Sequence, residues 1–140
     1  MKVLIDTNII LDVLCNRKEF VEDSAKVFKL CEVKKITGYI SALSISNIVY
    51  IMRKELDTEK VKEILEKLSL IFEIVDLKAD DLKRASTLDF KDYEDAIQST
   101  QASRIKANYI ITRNIKDYNK SKVTAIKPSE LIERIRLNIT

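Results

Sequence analysis

Short apolar runs separated by longer amphipathic segments dominate the chain. Each run has the length of a buried strand and is bounded by polar or charged residues. The runs predict five strands, at residues 3–5, 39–40, 71–75, 109–111 and 123–126. Strands that alternate with helical segments predict an α/β fold with a five-stranded parallel sheet.

Apolar residues between the strands recur at spacings of three and four, which is typical of helices with one buried face. These patterns predict helices near residues 21–31, 45–56, 61–68, 82–88 and 92–107. A last helix begins at Pro128, because proline is favoured at the first helical position. No repeat, low-complexity tract or linker interrupts the pattern, so we expect residues 1–140 to form a single domain.

Polar side chains follow the predicted strands where each strand ends. Asp6 comes directly after the first apolar run, and Thr112 opens a polar loop after the fourth. Parallel sheets build their binding sites at the carboxyl ends of their strands, so these segments can share one cleft. Considered alone, however, Asp6 is better explained as the cap of a helix, a role that Asn8 could fill equally well.

Four acidic residues crowd into the seven positions that precede and open the helix near residues 92–107: Asp89, Asp92, Glu94 and Asp95. Capping and the helix dipole explain Asp92 and Asp95. They do not explain the whole group, because like charges repel unless solvent, lysines or a bound cation offset them. A divalent ion would offset them directly.

Absences in the composition exclude several classes of enzyme. The chain has no histidine, so it contains neither a Ser-His-Asp triad nor a Cys-His pair. Gly38 is the only glycine, so no glycine-rich nucleotide loop can form, and we expect no nucleotide cofactor. Carboxylates, amides and hydroxyls remain, and these are the oxygen ligands that Mg²⁺ or Mn²⁺ prefers.

The remaining composition is that of an ordinary soluble protein. The formal net charge of +3 allows an anionic partner without requiring one. Cys15 and Cys31 are too far apart for a zinc motif, and we expect both thiols to be reduced and buried. No apolar run is long enough to span a membrane, so the cytoplasm is the expected location.

Basic and aromatic residues give weaker signals. Arg113 and Lys116, in the loop after the fourth strand, could contact phosphate groups, although solubility explains most of the nearby lysines. Tyr39, Tyr50 and Tyr93 are not interleaved with these cations, so we expect them to be core or half-buried residues and not platforms for bases.

Three segments together resemble PIN domains of the VapC-like kind: residues 1–8 (MKVLIDTN), 89–98 (DFKDYEDAIQ) and 112–118 (TRNIKDY). The resemblance covers almost the whole chain. It implies a three-layer α/β/α fold and a Mg²⁺- or Mn²⁺-dependent endoribonuclease. Many small members are the toxin of a toxin–antitoxin pair and form homodimers, so the resemblance also implies RNA, an antitoxin protein and a second copy as partners.

Residue by residue, the first acidic position of the family falls on Asp6, and the acid that opens its late helix falls on Asp95. Two other acidic positions of the family fall on Asn47 and Asn114, which carry amides. Amides at these places would orient ligands instead of supplying a charge.

Asp92 and Asp117 lie close enough in sequence to complete the set of metal ligands, with Asp92 as a further catalytic residue. Thr7, Asn8 and Thr112 would orient these carboxylates without binding the metal ion themselves. The hypothesis is that one or two bound ions activate water for in-line attack on an RNA phosphodiester, while the cations of the loop position phosphate groups.

Two alternatives stay open. The amides at positions 47 and 114 would also fit a catalytically silent module that binds RNA or a protein. A signalling receiver phosphorylated on Asp76 is the second alternative, because Asp76, Thr112 and Lys127 end successive strands.

Overall fold

In the computed structural model, which describes residues 1–139, five parallel strands form one sheet in the order β3-β2-β1-β4-β5. The predicted α/β architecture is therefore confirmed. The central strand is the first in sequence, and its side chains at Val3, Leu4 and Ile5 are fully buried. The strands are β1 (Lys2–Ile5), β2 (Thr37–Ser41), β3 (Glu73–Val75), β4 (Tyr109–Ile111) and β5 (Ala125–Ile126).

Helices connect the strands and cover both faces of the sheet. Val3 and Ile5 of β1 pack with α1 to α4 and α7, whereas Leu4, on the opposite face, packs with residues of α6. This alternation gives three layers. The helices are α1 (Thr7–Leu14), α2 (Val21–Glu32), α3 (Ala42–Met52), α4 (Thr58–Ile71), α5 (Ala79–Ala85), α6 (Tyr93–Arg104) and α7 (Pro128–Ile139), with a 3-10 helix at Ile115–Tyr118.

Local sequence explains where several helices begin. Ser41 accepts a hydrogen bond from the backbone N–H of Leu43 at the start of α3, and Asp57 accepts one from that of Lys60 at the start of α4. Asp92 caps α6 in the same way, by accepting from Asp95 N at 3.0 Å. Each acceptor satisfies a backbone donor that has no partner inside the helix. Pro128 opens α7 as predicted.

The predicted boundaries differ from the structure at a few places. Ile71 belongs to α4 and not to the third strand, and Val123 lies outside the fifth. Cys15 is exposed at the end of α1, so the expectation that both thiols are buried is correct only for Cys31. Packing explains the glycine at position 38, because a Cβ atom there would clash with Cys31 Sγ and the Phe72 ring.

Candidate active site

A cleft of about 540 Å³ opens at the carboxyl ends of the central strands. It is bounded by the beginnings of α1 and α6, by one face of α3 and by the loop after β4. Five carboxylates line it: Asp6, Asp92, Glu94, Asp95 and Asp117. Three amides line it as well, those of Asn8, Asn47 and Asn114. No lysine or arginine is among the described residues that line this cleft.

Asp6 is held from both sides at the end of β1. Its backbone N–H donates to Ile111 O at 2.9 Å, which fixes the end of β1 against β4. Thr112 Oγ1 donates to Asp6 Oδ2 at 2.8 Å, and Gln98 Nε2 donates to Asp6 Oδ1 at 3.2 Å. Asp6 occupies the N-cap position of α1, but its side chain makes no capping hydrogen bond to the N–H groups of that helix's first turn.

Burial shifts the ionisation of Asp6. The residue is only 6% exposed, and this burial raises the pKa of its carboxyl group above the ordinary value. The hydrogen bonds from Thr112 and Gln98 and the charge of Arg113 act in the opposite direction. Loss of these donors would therefore favour the neutral acid.

Asp95 lies in the first turn of α6, where it is half-buried. Burial and the negative charges of Asp6 and Asp92 raise its pKa to about 7, with a smaller contribution from Asp117. Tyr118 donates its hydroxyl hydrogen to Asp95 Oδ1 at 3.1 Å. The structure thus brings together Asp6 and Asp95, which are 89 positions apart in sequence. Arg113 offsets part of the charge of Asp6, whereas the neighbours that shift the pKa of Asp95 are other acids and Tyr118.

The other predicted acids stand at the edge of the cleft. Asp92 and Asp117 are exposed, Asp92 as the cap of α6 and Asp117 within the 3-10 helix. Both carboxylates contribute to the raised pKa of Asp95.

The residues predicted to orient ligands are in place around Asp6. Thr112 contacts Asp6 directly and also accepts a hydrogen bond from Asn114 N at 3.1 Å, which ties the loop after β4 to the strand end. Thr7 donates to Ser44 Oγ at 2.6 Å and so connects the beginnings of α1 and α3.

Asn47 has a partner that sequence reasoning did not assign. Its Nδ2 donates to Glu94 Oε1, so the amide on α3 holds a carboxylate that comes from α6. Glu94 was visible only as one member of an acidic cluster, because no sequence spacing relates positions 47 and 94. The cleft therefore keeps a carboxylate next to Asn47, the position where the family resemblance implies an acid and this chain carries an amide.

Gln98 is a second residue that sequence reasoning missed. It lies one helical turn after Asp95, is 2% exposed, and donates to Asp6. Its Oε1 is buried and has no hydrogen-bond partner among the described residues. The spacing of three from Asp95 was the available signal, since it places both side chains on one face of α6.

The two predicted phosphate contacts lie outside the cleft lining. Arg113 Nε stands 3.0 Å from Asp12 Oδ2, close enough for an ion pair although the N–H is not aligned for a hydrogen bond. Its guanidinium also stacks on the Phe20 ring at 3.9 Å. Because Asp12 is fully buried, Arg113 serves it as a counter-ion. Lys116 is exposed on the 3-10 helix, in no ion pair within the described residues.

The aromatic expectations are wrong for two of three residues. Tyr39 is half-buried, but Tyr50 is 68% exposed and Tyr93 is 49% exposed. Tyr50 lines the cleft together with Leu11 and Ile51, so part of the lining is apolar or aromatic.

The donor chemistry of the cleft fits a hard divalent cation. Within residues 1–139 no three carboxylate or thiolate groups stand close enough to form a ready metal-binding group. Mg²⁺ commonly needs only one or two protein carboxylates and keeps water or substrate oxygens as its other ligands. Asp6 and Asp95 meet that requirement, and the like charges around Asp95, which raise its pKa, would be offset by such an ion.

Asp76, the residue that would be phosphorylated in the receiver alternative, lies in a different environment from the acids of the cleft. It follows β3, which is an edge strand, and Arg104 Nη1 lies 3.2 Å from its Oδ1. Receiver domains have the strand order 2-1-3-4-5, in which the third strand is interior. The observed topology does not support the receiver alternative.

No helix within residues 1–139 combines the length and the apolar character that crossing a bilayer requires.

Known structures share this fold. The chain is similar to one in a toxin–antitoxin complex from Klebsiella pneumoniae, with 22% identity, a TM-score of 0.71, and coverage of 90% of this chain and 97% of that one. It is also similar to a chain of VapBC2 from Rickettsia felis bound to a promoter DNA fragment, with 17% identity, a TM-score of 0.68, and coverage of 91% and 98%. DNA-bound VapBC from Salmonella typhimurium gives 15% identity, a TM-score of 0.69, and coverage of 91% and 98%.

A search of curated protein sequences finds no significant match. A family model described as PIN domain matches residues 2–116, which is most of the sequence. The resemblance noted in the three motifs is thereby confirmed, and the chain belongs to the PIN domain family.

Proposed function

We propose that this chain is a Mg²⁺- or Mn²⁺-dependent endoribonuclease that hydrolyses RNA phosphodiesters and acts as the toxin of a toxin–antitoxin pair. The observation that carries the proposal is the convergence of Asp6 and Asp95 in a cleft whose described lining contains several acids and no lysine or arginine. Membership of the PIN domain family supports a nuclease, and the similar structure from Klebsiella pneumoniae is a toxin–antitoxin complex.

Each side chain of the cleft has a part in this proposal. Asp6 and Asp95 hold the ion, with Asp92 and Asp117 adding negative charge at the rim. When bound, such an ion lowers the pKa of a water molecule and offsets charge on the phosphate.

The supporting residues keep the carboxylates in position. Thr112 and Gln98 fix the two oxygens of Asp6, and Asn47 fixes Glu94. Such outer contacts set the orientation and basicity of ligands. Thr7, Asn8 and Asn114 complete the polar lining and would orient water or phosphate.

Two partners are part of the proposal. The antitoxin is a second protein that binds this chain, and the working form is a homodimer. Both follow from the family resemblance and would be checked by co-purification with the product of the neighbouring gene and by light scattering of the isolated chain.

The proposal is tested by incubating varied single-stranded and structured RNAs with purified protein and Mn²⁺. We expect Asp6→Asn and Asp95→Asn to lower the cleavage rate by about 100-fold or more, since even outer-shell partners of a metal site are worth about 10–100-fold. Glu66→Gln, which removes an exposed acid on α4, serves as the matched control and should cleave like the wild type.

Two other outcomes of this assay would contradict the proposal or favour a different function. Equal cleavage by all variants, or cleavage that persists in EDTA, would mean that this cleft is not the source of the activity. The presence of amides at Asn47 and Asn114 favours a second candidate, a silent RNA-binding module. That candidate is correct if the wild-type protein retains RNA but cleaves none of it.

A further inference from the structure

Helix α3 continues the apolar part of the cleft lining toward solvent. Tyr50 and Ile51 line the cleft, and Arg53 and Lys54 follow immediately at the end of the helix. Tyr50 also lines a second depression, of about 420 Å³, together with Arg53 and Lys54. The two depressions therefore share the Tyr50 side chain as part of their linings. We call Tyr50, Arg53 and Lys54 the α3 ledge.

The cations of the α3 ledge are available to an external partner. Five of the seven arginines pair with a carboxylate of this chain. Neither Arg53 nor Lys54 has an ion-pair partner within residues 1–139, and both are exposed. The Lys54 ammonium instead lies 4.9 Å from the centroid of the Tyr50 ring.

The exposed aromatic ring needs its own explanation. Cations at a helix end are favoured by the helix dipole, which accounts for Arg53 and Lys54 without any partner. It does not account for Tyr50, a large side chain that is 68% exposed and borders an acidic cleft. An aromatic ring flanked by unpaired cations is the usual surface for single-stranded nucleic acid, because every base can stack and every phosphate can be neutralised.

The acidic cleft gives such a surface a use for an RNA substrate. The carboxylates of the cleft repel phosphates, and the described part of its lining contains no lysine or arginine. Apart from a bound metal ion, attraction for the phosphates of a strand therefore comes from cations beside the cleft. The α3 ledge lies at the cleft wall, whereas Arg113 is occupied by Asp12.

We propose that the α3 ledge binds the single-stranded RNA segment next to the cleaved phosphodiester, with one base stacked on Tyr50 and the flanking phosphates on Arg53 and Lys54. The choice of RNA as ligand rests on the proposed function. The base takes the ring face that the Lys54 ammonium covers in the free protein, and the released ammonium contacts a phosphate.

The test is binding of a fluorescent single-stranded RNA, followed by anisotropy in EDTA so that no cleavage occurs. We expect Tyr50→Ala to weaken binding about 10-fold, and Tyr50→Phe to bind like the wild type because it keeps the ring. The double variant Arg53→Gln, Lys54→Gln should reduce the slope of log Kd against log salt by about 1.4, at about 0.7 for each phosphate contact.

The matched control is Lys35→Gln, Lys106→Gln. It removes two exposed cations at the amino ends of the strands, opposite the cleft, and should keep the wild-type salt slope. Equal affinities of Tyr50→Ala and wild type, or equal slopes of the two double variants, would overturn the α3 ledge. A change of oligomeric state in Tyr50→Ala, measured by light scattering, would assign the surface to a protein contact and would overturn it too.

Cleavage assays keep this proposal separate from the proposed function. If the wild type cleaves RNA and Tyr50→Ala cleaves and binds it equally well, the proposed role of the α3 ledge is wrong and the proposed nuclease activity is supported. If binding depends on Tyr50 but no RNA is cleaved, the proposal for the α3 ledge is supported and the proposed nuclease activity is wrong.

Discussion

Asp81 and Asp95 are two carboxylates of the same helical layer, and the protein treats their charges in opposite ways. Asp81, on α5, is 1% exposed and receives two hydrogen bonds from Arg104, to Oδ1 at 3.0 Å and to Oδ2 at 2.9 Å. Asp95, at the start of α6, lies near Asp6 and Asp92, and within residues 1–139 its carboxylate receives a hydroxyl hydrogen bond from Tyr118 alone.

The ionisation of the two groups follows from these neighbours. Burial alone would raise the pKa of Asp81, but the hydrogen bonds and charge of Arg104 outweigh it and hold that pKa below its usual value. Burial and like charges raise the pKa of Asp95 to about 7. An acid that is paired within the chain stabilises the fold, whereas an acid left without a cation is available to an external one.

Removal of Arg104 should have the largest effect on stability. We expect Arg104→Ala to lower the free energy of unfolding at pH 7 by about 3 kcal/mol, because it leaves the buried charge of Asp81 unpaired. The same change also removes the contacts of Arg104 with the carboxylate and carbonyl groups of Asp76. Urea denaturation measures the effect.

The matched control is Arg84→Ala, which removes an exposed pair with Asp80 on the same layer. Exposed pairs contribute little, so the loss should stay below about 1 kcal/mol. Equal losses in the two variants would show that the Arg104 cluster does not differ from a surface ion pair.

The pH dependence of the free energy of unfolding tests the second carboxylate of the comparison, Asp95. The folded chain keeps a proton on Asp95 up to a pKa of about 7, whereas the unfolded chain releases it near 3.8. The folded state therefore binds more protons between these values, and its stability falls as pH rises from about 4 to 7. Above that window the contribution of Asp95 is constant.

We expect Asp95→Asn to remove the part of this fall that Asp95 contributes, a gain of about 2 kcal/mol over the wild type between pH 4 and 7 after allowance for solvent at a half-buried group. Chemical denaturation at a series of pH values measures the difference. A difference between the two proteins that does not change with pH would contradict the raised pKa.

A smaller effect is expected from the hydroxyl that fixes Asp6. Thr112→Val keeps the shape of the side chain but removes the donor to Asp6 Oδ2. Under the proposed function we expect about 10-fold slower metal-dependent cleavage. Thr112→Ser keeps the hydroxyl and should retain most of the activity, so equal rates for the two variants would mean that this hydrogen bond has no part in the reaction.

Much of the fold was predictable from local pattern. The apolar runs located all five strands, and the capping sequence at Asp92 located the start of α6 within one residue. The strand order was not predicted, since nothing in the spacing of the runs shows that β3 lies at the edge. That order decides between a receiver and the observed fold.

The candidate site was predictable where a residue acts from a strand end or a helix start. Asp6 and Asp95 are such residues, and the structure brings them into one cleft. Contacts between distant elements were not predictable. The pairing of Asn47 with Glu94 and that of Arg113 with Asp12 depend on how helices and loops pack, and both change the role that the sequence suggested.

The central claim is that Asp6 and Asp95 together attract a divalent cation, and calorimetric titration of the metal-free protein with Mn²⁺ at pH 7.5 tests it most directly. We predict saturable binding to the wild type and to Glu66→Gln, and loss of that binding in Asp6→Asn and in Asp95→Asn. No heat of binding with the wild type, or equal binding by all four proteins, would contradict it.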